Sequence, residues 1–326
     1  MNDLSKDAAR HVAIDEAAAG QRVDNFLLRV LKGVPKSHIY RILRSGEVRL
    51  NRRRVRPDAR LAPGDDLRIP PLRTAADEGS TPRAPARPLA VPILYEDDAL
   101  IAIDKPAGLA VHGGSGIAFG AIEQLRAARP DARFLELVHR LDRDTSGVLL
   151  VAKKRAALTS LHASFREGDV DKRYLVLVKG RWRDAVRSVE LPLVKFVTSA
   201  GERRVRIERE GGKLARTVFR KRQVWTAIEP PTSLLEAELH TGRTHQIRVH
   251  LTHLGFPLAG DDKYGDFAWN RALAKQGLKR MFLHAWRIAF RHPLEPRQVE
   301  FESPLPADLA SFVAAQDATV ANHARR

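Results

Sequence analysis

The sequence predicts an α+β protein in two parts: a small basic module of two helices plus a small sheet, and a larger domain built on a mixed, mainly antiparallel sheet with helices on it. Three observations carry this reading. Strand-like apolar runs recur from Ile93 onward, and helical patterns interrupt them too irregularly for βαβ alternation. A stretch over residues 71–91 with four prolines and almost no bulky apolar residue reads as a flexible linker, and it separates these runs from a cation-rich segment.

In chain order, residues 1–20 read as an N-terminal extension and residues 21–70 as the basic module. There Val23, Phe26, Leu27, Val30 and Leu31 repeat at helical spacing, and a second helix fits Ser37–Arg44, with Ile39, Ile42 and Leu43 inward and Gly46 ending it. Short strands at Val48–Asn51, Val55 and Leu67–Ile69 are separated by turns at residues 51–54 and 63–66. Residues 92–307 form the larger domain. Its strands are expected at Leu100–Ile103, Phe134–Val138, Val148–Ala152, Tyr174–Val178, Thr217–Phe219, Leu234–Leu239, Ile288–Phe290 and Gln298–Phe301. Helices fit around Ala121–Arg129, Arg155–Glu167, Thr244–Leu254 and Arg271–Leu278. Residues 308–326 read as a C-terminal tail, helical at first and then frayed.

The chain has 326 residues, 44% of them hydrophobic, enough for a sizeable core. Its 56 Lys and Arg against 39 Asp and Glu give a net charge of +17, which points to a polyanionic partner, nucleic acid before membrane. No apolar run is long enough to span a bilayer, and Met1–Arg10 has no secretory pattern, so a cytoplasmic location is expected. The absence of cysteine excludes disulfides, thiolate nucleophiles and Cys-ligated zinc, leaving covalent chemistry to oxygen or nitrogen groups. Residues 22–73 hold fourteen cations and five acids, over half the net charge. The second helix and the turn after it would present Lys36, Arg41, Arg44, Arg52, Arg53 and Arg54 to a phosphate backbone. A merely soluble basic face is the bland alternative; clustering this strong favours a polyanion opposite it. With no coiled-coil repeat and no unexplained apolar stripe, a monomer is expected.

The densest chemistry lies in His139-Arg-Leu-Asp-Arg-Asp-Thr-Ser-Gly147, two carboxylates and two guanidiniums between two apolar runs. A carboxylate between Arg140 and Arg143 stays ionised if one pairs with it, which suits a nucleophile more than an acid. The competing reading is a solvated charged turn. A second cluster runs from His240 to His253. There Ile247, Leu251 and Leu254 would face the core from a helix that Thr244 can cap, while His245, Arg248 and Thr252 share another side, so that an arginine could reach a carboxylate on a neighbouring loop. The four histidines invite a metal reading, but no acid stands among them and no His-Glu-x-x-His occurs, so no metal is expected. Tyr174 follows Lys172 and Arg173 and could stack on a base; a lone strand tyrosine is otherwise a core or edge residue. Residues 110–116 are glycine-rich but lack the ending of a nucleotide P-loop, and read as a mobile loop beside the site.

The run from Ser37 to Asn51 and the closing Gly64-Asp-Asp-Leu-Arg-Ile69 resemble the S4 RNA-binding domain, which implies binding of structured RNA and no catalysis by this module. Taken together, Asp104-Lys-Pro-Ala-Gly-Leu-Ala-Val-His112, His139–Gly147, Lys172-Arg-Tyr174, His240–Leu251 and Leu258-Ala-Gly-Asp-Asp-Lys-Tyr-Gly265 resemble the RluA-type pseudouridine synthases, in the family's order. The resemblance implies isomerisation of uridine to pseudouridine in 23S ribosomal RNA, at three sites for this branch, without metal or organic cofactor. It makes Asp142 the nucleophile, Tyr174 the aromatic on the target base and Arg248 the partner of Asp142; Asp144 is not the nucleophile. The uridine must leave its stack, and Arg140 or His139 could occupy the space it vacates. The alternative is a noncatalytic S4-type RNA- or ribosome-binding factor.

Overall fold

A computed structural model describes residues 9–31, 33–72, 91–113, 119–199 and 201–324. Most of the expected linker and the centre of the glycine-rich loop lie outside these residues. The chain divides into two compact units, residues 1–86 and 87–326.

The first unit contains β1 (Arg10–Ala13), α1 (Val23–Val30), α2 (Lys36–Ser45), β2 (Arg49–Leu50), β3 (Arg53–Arg54) and β4 (Asp66–Ile69). The four strands form an antiparallel sheet in the order β1-β4-β2-β3. Val23, Phe26 and Leu27 of α1 and Ile39, Ile42 and Leu43 of α2 are buried in one core, as their spacing predicts. Gly46 ends α2 in the left-handed conformation at φ +78°, where a side chain would be strained. Asn51 and Arg52, both at positive φ, make the tight turn between β2 and β3, whose handedness suits twisted strands. The expected extension over residues 1–20 is corrected from residue 10 onward. β1 pairs along β4, and Ile14 and Ala18 join the core. A two-helix module this small gains needed apolar burial from that extra strand.

The second unit contains β5 (Ile93–Glu96), β6 (Leu100–Lys105), α3 (Ala121–Ala128), β7 (Glu136–Leu137), β8 (Ser146–Ala152), α4 (Arg155–Glu167), β9 (Asp171–Lys179), β10 (Val186–Glu190), β11 (Leu193–Val197), β12 (Arg203–Ile207), β13 (Arg216–Trp225), β14 (Thr232–Leu239), α5 (Gln246–His253), α6 (Phe267–Lys275), β15 (Leu283–Arg291), β16 (Gln298–Glu302) and α7 (Ala307–Ala324). A ten-stranded sheet runs β10-β13-β14-β9-β15-β8-β6-β5, with β16 on β15 and β7 on β8; β11 and β12 form a separate hairpin. Among the described strands only the β15–β8 pair is parallel. Gly147 makes that contact possible: it lies at φ +117°, and a Cβ there would collide with the backbone of Ala285.

Alternation along the strands gives the sheet two apolar faces. One carries Val176, Phe219, Leu235 and Leu283 against Ile247 and Leu251 of α5, and continues as Ile101, Ile103, Leu149 and Val151 against α3 and Leu141. The other carries Leu177, Trp225 and Phe282 against α6 and α7. The expected tail over residues 308–326 is therefore corrected. α7 extends to Ala324, buries Leu309 and Phe312, and its Asp317 accepts a hydrogen bond from the Trp225 indole at 2.7 Å. Burying side chains of this size contributes about 1.5–3 kcal/mol each. The alanine-rich sequence blurred its apolar stripe, but alanine is itself a strong helix former. α6 starts at Phe267, earlier than its apolar pattern, because the Asp266 carboxylate accepts the Trp269 N–H at 3.0 Å.

Candidate active site

The His139–Gly147 loop crosses from β7 to the fully buried β8 and is pinned from beneath. Lys105, at the end of β6, is buried and donates its ammonium to the carbonyls of Pro106, Leu109 and Arg143 at 2.8, 2.8 and 3.0 Å. Burial pushes its pKa down to about 8, against the opposing charges of Asp144 and Asp142. The Gly108 N–H also donates to the Arg143 carbonyl, at 2.9 Å.

On this loop Asp142 is half-buried, and its Oδ2 accepts a hydrogen bond from Nη1 of Arg248 at 3.2 Å. Arg248 stands on α5, 4% exposed. Its other side is held by Asp261, which takes Nε at 2.7 Å and Nη2 at 2.6 Å in a fork. Nη2 also meets the exposed Asp262 at 3.3 Å. Burial opposes the guanidinium charge, but the hydrogen bond and charge of Asp261 outweigh it, so Arg248 holds its proton more tightly than usual. Asp261 is likewise held below the usual carboxylate range: Arg248 and the N–H groups of Lys263 and Tyr264 overcome its desolvation.

His245 enters α5 at φ +53° and places Nε2 3.8 Å from Asp142 Oδ2. The expected Thr244 cap is not formed. α5 has no side-chain cap; the Gln246 carboxamide instead braces the loop before it, accepting from the Arg243 N–H at 3.0 Å and the Thr241 hydroxyl at 2.7 Å. Nδ1 of His245 lies 2.8 Å from the Tyr264 hydroxyl, which accepts the Val205 N–H of β12 at 2.8 Å. When the phenol donates to Nδ1, the imidazole proton sits on Nε2, facing Asp142. Burial lowers the pKa of His245, opposed by Asp142.

Tyr174 reaches the same cavity from β9. Burial, then the charge of Asp142, raise its pKa, so it is a neutral phenol. The cavity, about 1250 Å³, is bordered by Asp142, Tyr174, His139, Arg140, Lys172 and His245. A half-buried carboxylate held by an arginine, beside an aromatic ring and within a cationic rim, can attack or steady an electron-poor carbon of a bound anionic substrate.

Residues 99–253 match the family model described as RNA pseudouridylate synthase, and residues 21–67 match the S4 domain. The chain is 52% identical over 303 residues to ribosomal large subunit pseudouridine synthase C of Escherichia coli strain K12, spanning 91% of this chain and 93% of that protein. It is 50% identical over 311 residues to the protein of that name from Pasteurella multocida, spanning 94% of each. This chain belongs to the RNA pseudouridylate synthase family. The solved human RNA pseudouridylate synthase domain containing 1 resembles it at 26% identity with a TM-score of 0.54, over 73% of this chain and 98% of that one. The human domain containing 4 has the same fold at 23% identity and a TM-score of 0.56, over 69% and 92%.

Within this pseudouridine synthase the structure brings Asp142, Arg248 and Tyr174 together and separates the two loop acids. Asp144 pairs with its neighbour Arg143 at 3.2 Å. The two candidates for the vacated stack also part. His139 accepts the Leu150 N–H on Nε2 at 3.1 Å and stacks on Phe165, with its pKa pushed down to about 3 by burial and then by Lys172, so it is a neutral brace. Arg140 is exposed and has no partner among the described residues. Asp261, His245 and Tyr264 were missed as site residues. The signal was present in the Leu258–Gly265 motif and in the position of His245 one turn before Arg248.

Of the other histidines of the second cluster, His240 borders the same cavity, with Nε2 3.1 Å from a Glu238 carboxylate oxygen, while the remaining two do not join it. His250 is buried with Nδ1 3.0 Å from the Thr217 hydroxyl, and His253 is exposed. Among the described residues the one group with metal-ligand spacing is Asp97, His292 and Glu295, in two other turns. In the S4 unit, Lys36, Arg41, Arg44, Arg52, Arg53 and Arg54 are all exposed. Arg54 is spent within the module, donating to the Ser45 carbonyl at 2.9 Å. Arg52 borders a cleft that also holds Arg49, Arg68 and His11, which sequence reading did not select.

Proposed function

We propose that this enzyme isomerises uridine to pseudouridine in 23S ribosomal RNA, at three sites. The observation that supports it most directly is the Arg248–Asp142 hydrogen bond in a cavity shared with Tyr174, in a chain whose relatives are named for the ribosomal large subunit. The reaction breaks the N1–C1′ bond, turns the uracil and joins C5 to C1′; the proton lost from C5 balances one gained at N1, with no redox change. Asp142 serves by attacking C1′ or C6, or by stabilising positive charge while a glycal forms. Arg248 aims it and Tyr174 packs on the base. The uridine is flipped out, and Arg140 takes its place in the stack. The exposed cations of the S4 unit hold the RNA.

No helix among the described residues is long and apolar enough to cross a membrane. We place the enzyme in the cytoplasm as a monomer acting on ribosomal RNA without a metal or organic cofactor. Asp142→Asn is expected to retain RNA binding and abolish pseudouridine formation, and unchanged activity would overturn the assignment. Mapping pseudouridines in 23S RNA from a strain lacking the protein identifies the targets.

A further inference from the structure

Three cations of the second unit are buried among the described residues: Lys105, Arg248 and Lys172. The protein itself satisfies the first two, with three carbonyls and with carboxylates respectively. Lys172 is different. It is 7% exposed and lines the Asp142 cavity, yet its ammonium has no hydrogen-bond acceptor among the described residues. Its Nζ lies 5.5 Å from the centroid of the Phe165 ring. Burial lowers its pKa, with Asp171 opposing. A mostly buried cation that opens onto a cavity and lacks an anionic hydrogen-bond partner is placed to take one from a ligand. Lys172 shares a strand face with Tyr174, about 7 Å away along β9. Arg166, exposed and unpaired among the described residues, borders the same cavity.

We propose that Lys172 anchors a backbone phosphate of the RNA strand next to the flipped uridine, in a subsite bordered by Phe165 and Arg166. This deepens the proposed function and rests on it. A compact ammonium suits a phosphate as a point charge, whereas the position beside Asp142 and Tyr174 is taken by the target nucleoside.

The test uses the full chain with unmodified 23S ribosomal RNA transcript. Lys172→Met keeps the length of the side chain and removes the charge. Its Tm is expected to equal or exceed that of the wild type, while KM rises about tenfold at nearly constant kcat, as for a loss of uniform binding. The salt dependence of RNA binding, log Kd against log salt, should lose about one unit of slope, and Lys172→Arg should restore most of both. A fall in kcat with slope and KM intact would place the ammonium on the uracil or behind Tyr174 and overturn the proposal. So would a lowered Tm without a change in slope. The slope is read without turnover, so a wild-type chain that made no pseudouridine would refute the proposed function while the binding data still decided Lys172.

Discussion

Asp261 holds Arg248 in a fork at 2.6 and 2.7 Å, and this leaves one guanidinium nitrogen aimed at Asp142. The acid that positions the site is thus completely buried, thirteen residues beyond the arginine, while the acid assigned to the reaction is half-exposed on another loop. Asp261→Asn keeps the shape but removes the buried counter-charge of Arg248, leaving it the longer contacts to Asp142 and Asp262. Breaking such a buried pair costs about 3–5 kcal/mol. We expect a lowered Tm together with at least a hundredfold fall in kcat/KM, measured by thermal melting and by tritium release from [5-³H]uridine-labelled RNA. Unchanged values for both would remove Asp261 from the site.

Tyr264→Phe deletes the hydroxyl that orients His245 and accepts the Val205 N–H. The stability loss should be modest, about 1–2 kcal/mol. The imidazole is then free to change tautomer, so kcat should fall with KM nearly constant, and the acid limb of the kcat–pH profile should move. A proportional loss of active protein with an unshifted profile would point to folding alone.

The pH dependence of stability follows from His139, whose pKa in the folded protein is about 3 against an ordinary value of 6.5. A histidine held neutral binds no proton in the native state where the unfolded chain binds one. Stability therefore decreases as pH falls from about 6.5 toward 3, at up to about 1.4 kcal/mol per pH unit from this group. His250, at about 4, acts in the same direction. Urea titrations from pH 7 to pH 4 should show this slope, and His139→Gln, which can still accept the Leu150 N–H, should flatten it. An identical slope in the variant would contradict a His139 imidazole held neutral in the native state.

In the S4 unit the cations should divide by what they touch. Replacing Lys36, Arg41, Arg44, Arg52 or Arg53 with alanine should weaken binding to ribosomal RNA at constant Tm, and each phosphate left without its cation should reduce the salt slope by about one. Arg54→Ala should lower Tm instead, because its guanidinium ties β3 to the end of α2. Equal effects of all six on binding and none on stability would show that this division is wrong.

Much of this was legible in local sequence. The expected helix over Arg155–Glu167 is α4 with the same bounds, since its apolar positions and the following Gly168 mark both face and end. The expected strand at Val148–Ala152 lies within β8, whose residues are all buried, as its unbroken apolar run implies. Other elements were hidden. The expected strand at Phe134–Val138 shrinks to the two residues of β7, and the β11–β12 hairpin, with Lys195, Arg203, Arg204 and Arg206, carries too many charges to read as strands.

By itself the sequence determined the two-part α+β organisation, the basic charge of the first part and the short list of side chains able to do the chemistry. These are properties of composition and of neighbours within one or two turns. Tertiary structure alone decided which of those side chains meet. The parallel docking of β15 on β8 accompanies the Gly147 contact, α5 sets Arg248 against Asp261, and the β12 backbone reaches His245 through Tyr264. Those choices depend on strand register and on burial, which turn His139 into a neutral brace and leave Arg140 exposed, and no local pattern separates two adjacent residues of one loop in that way.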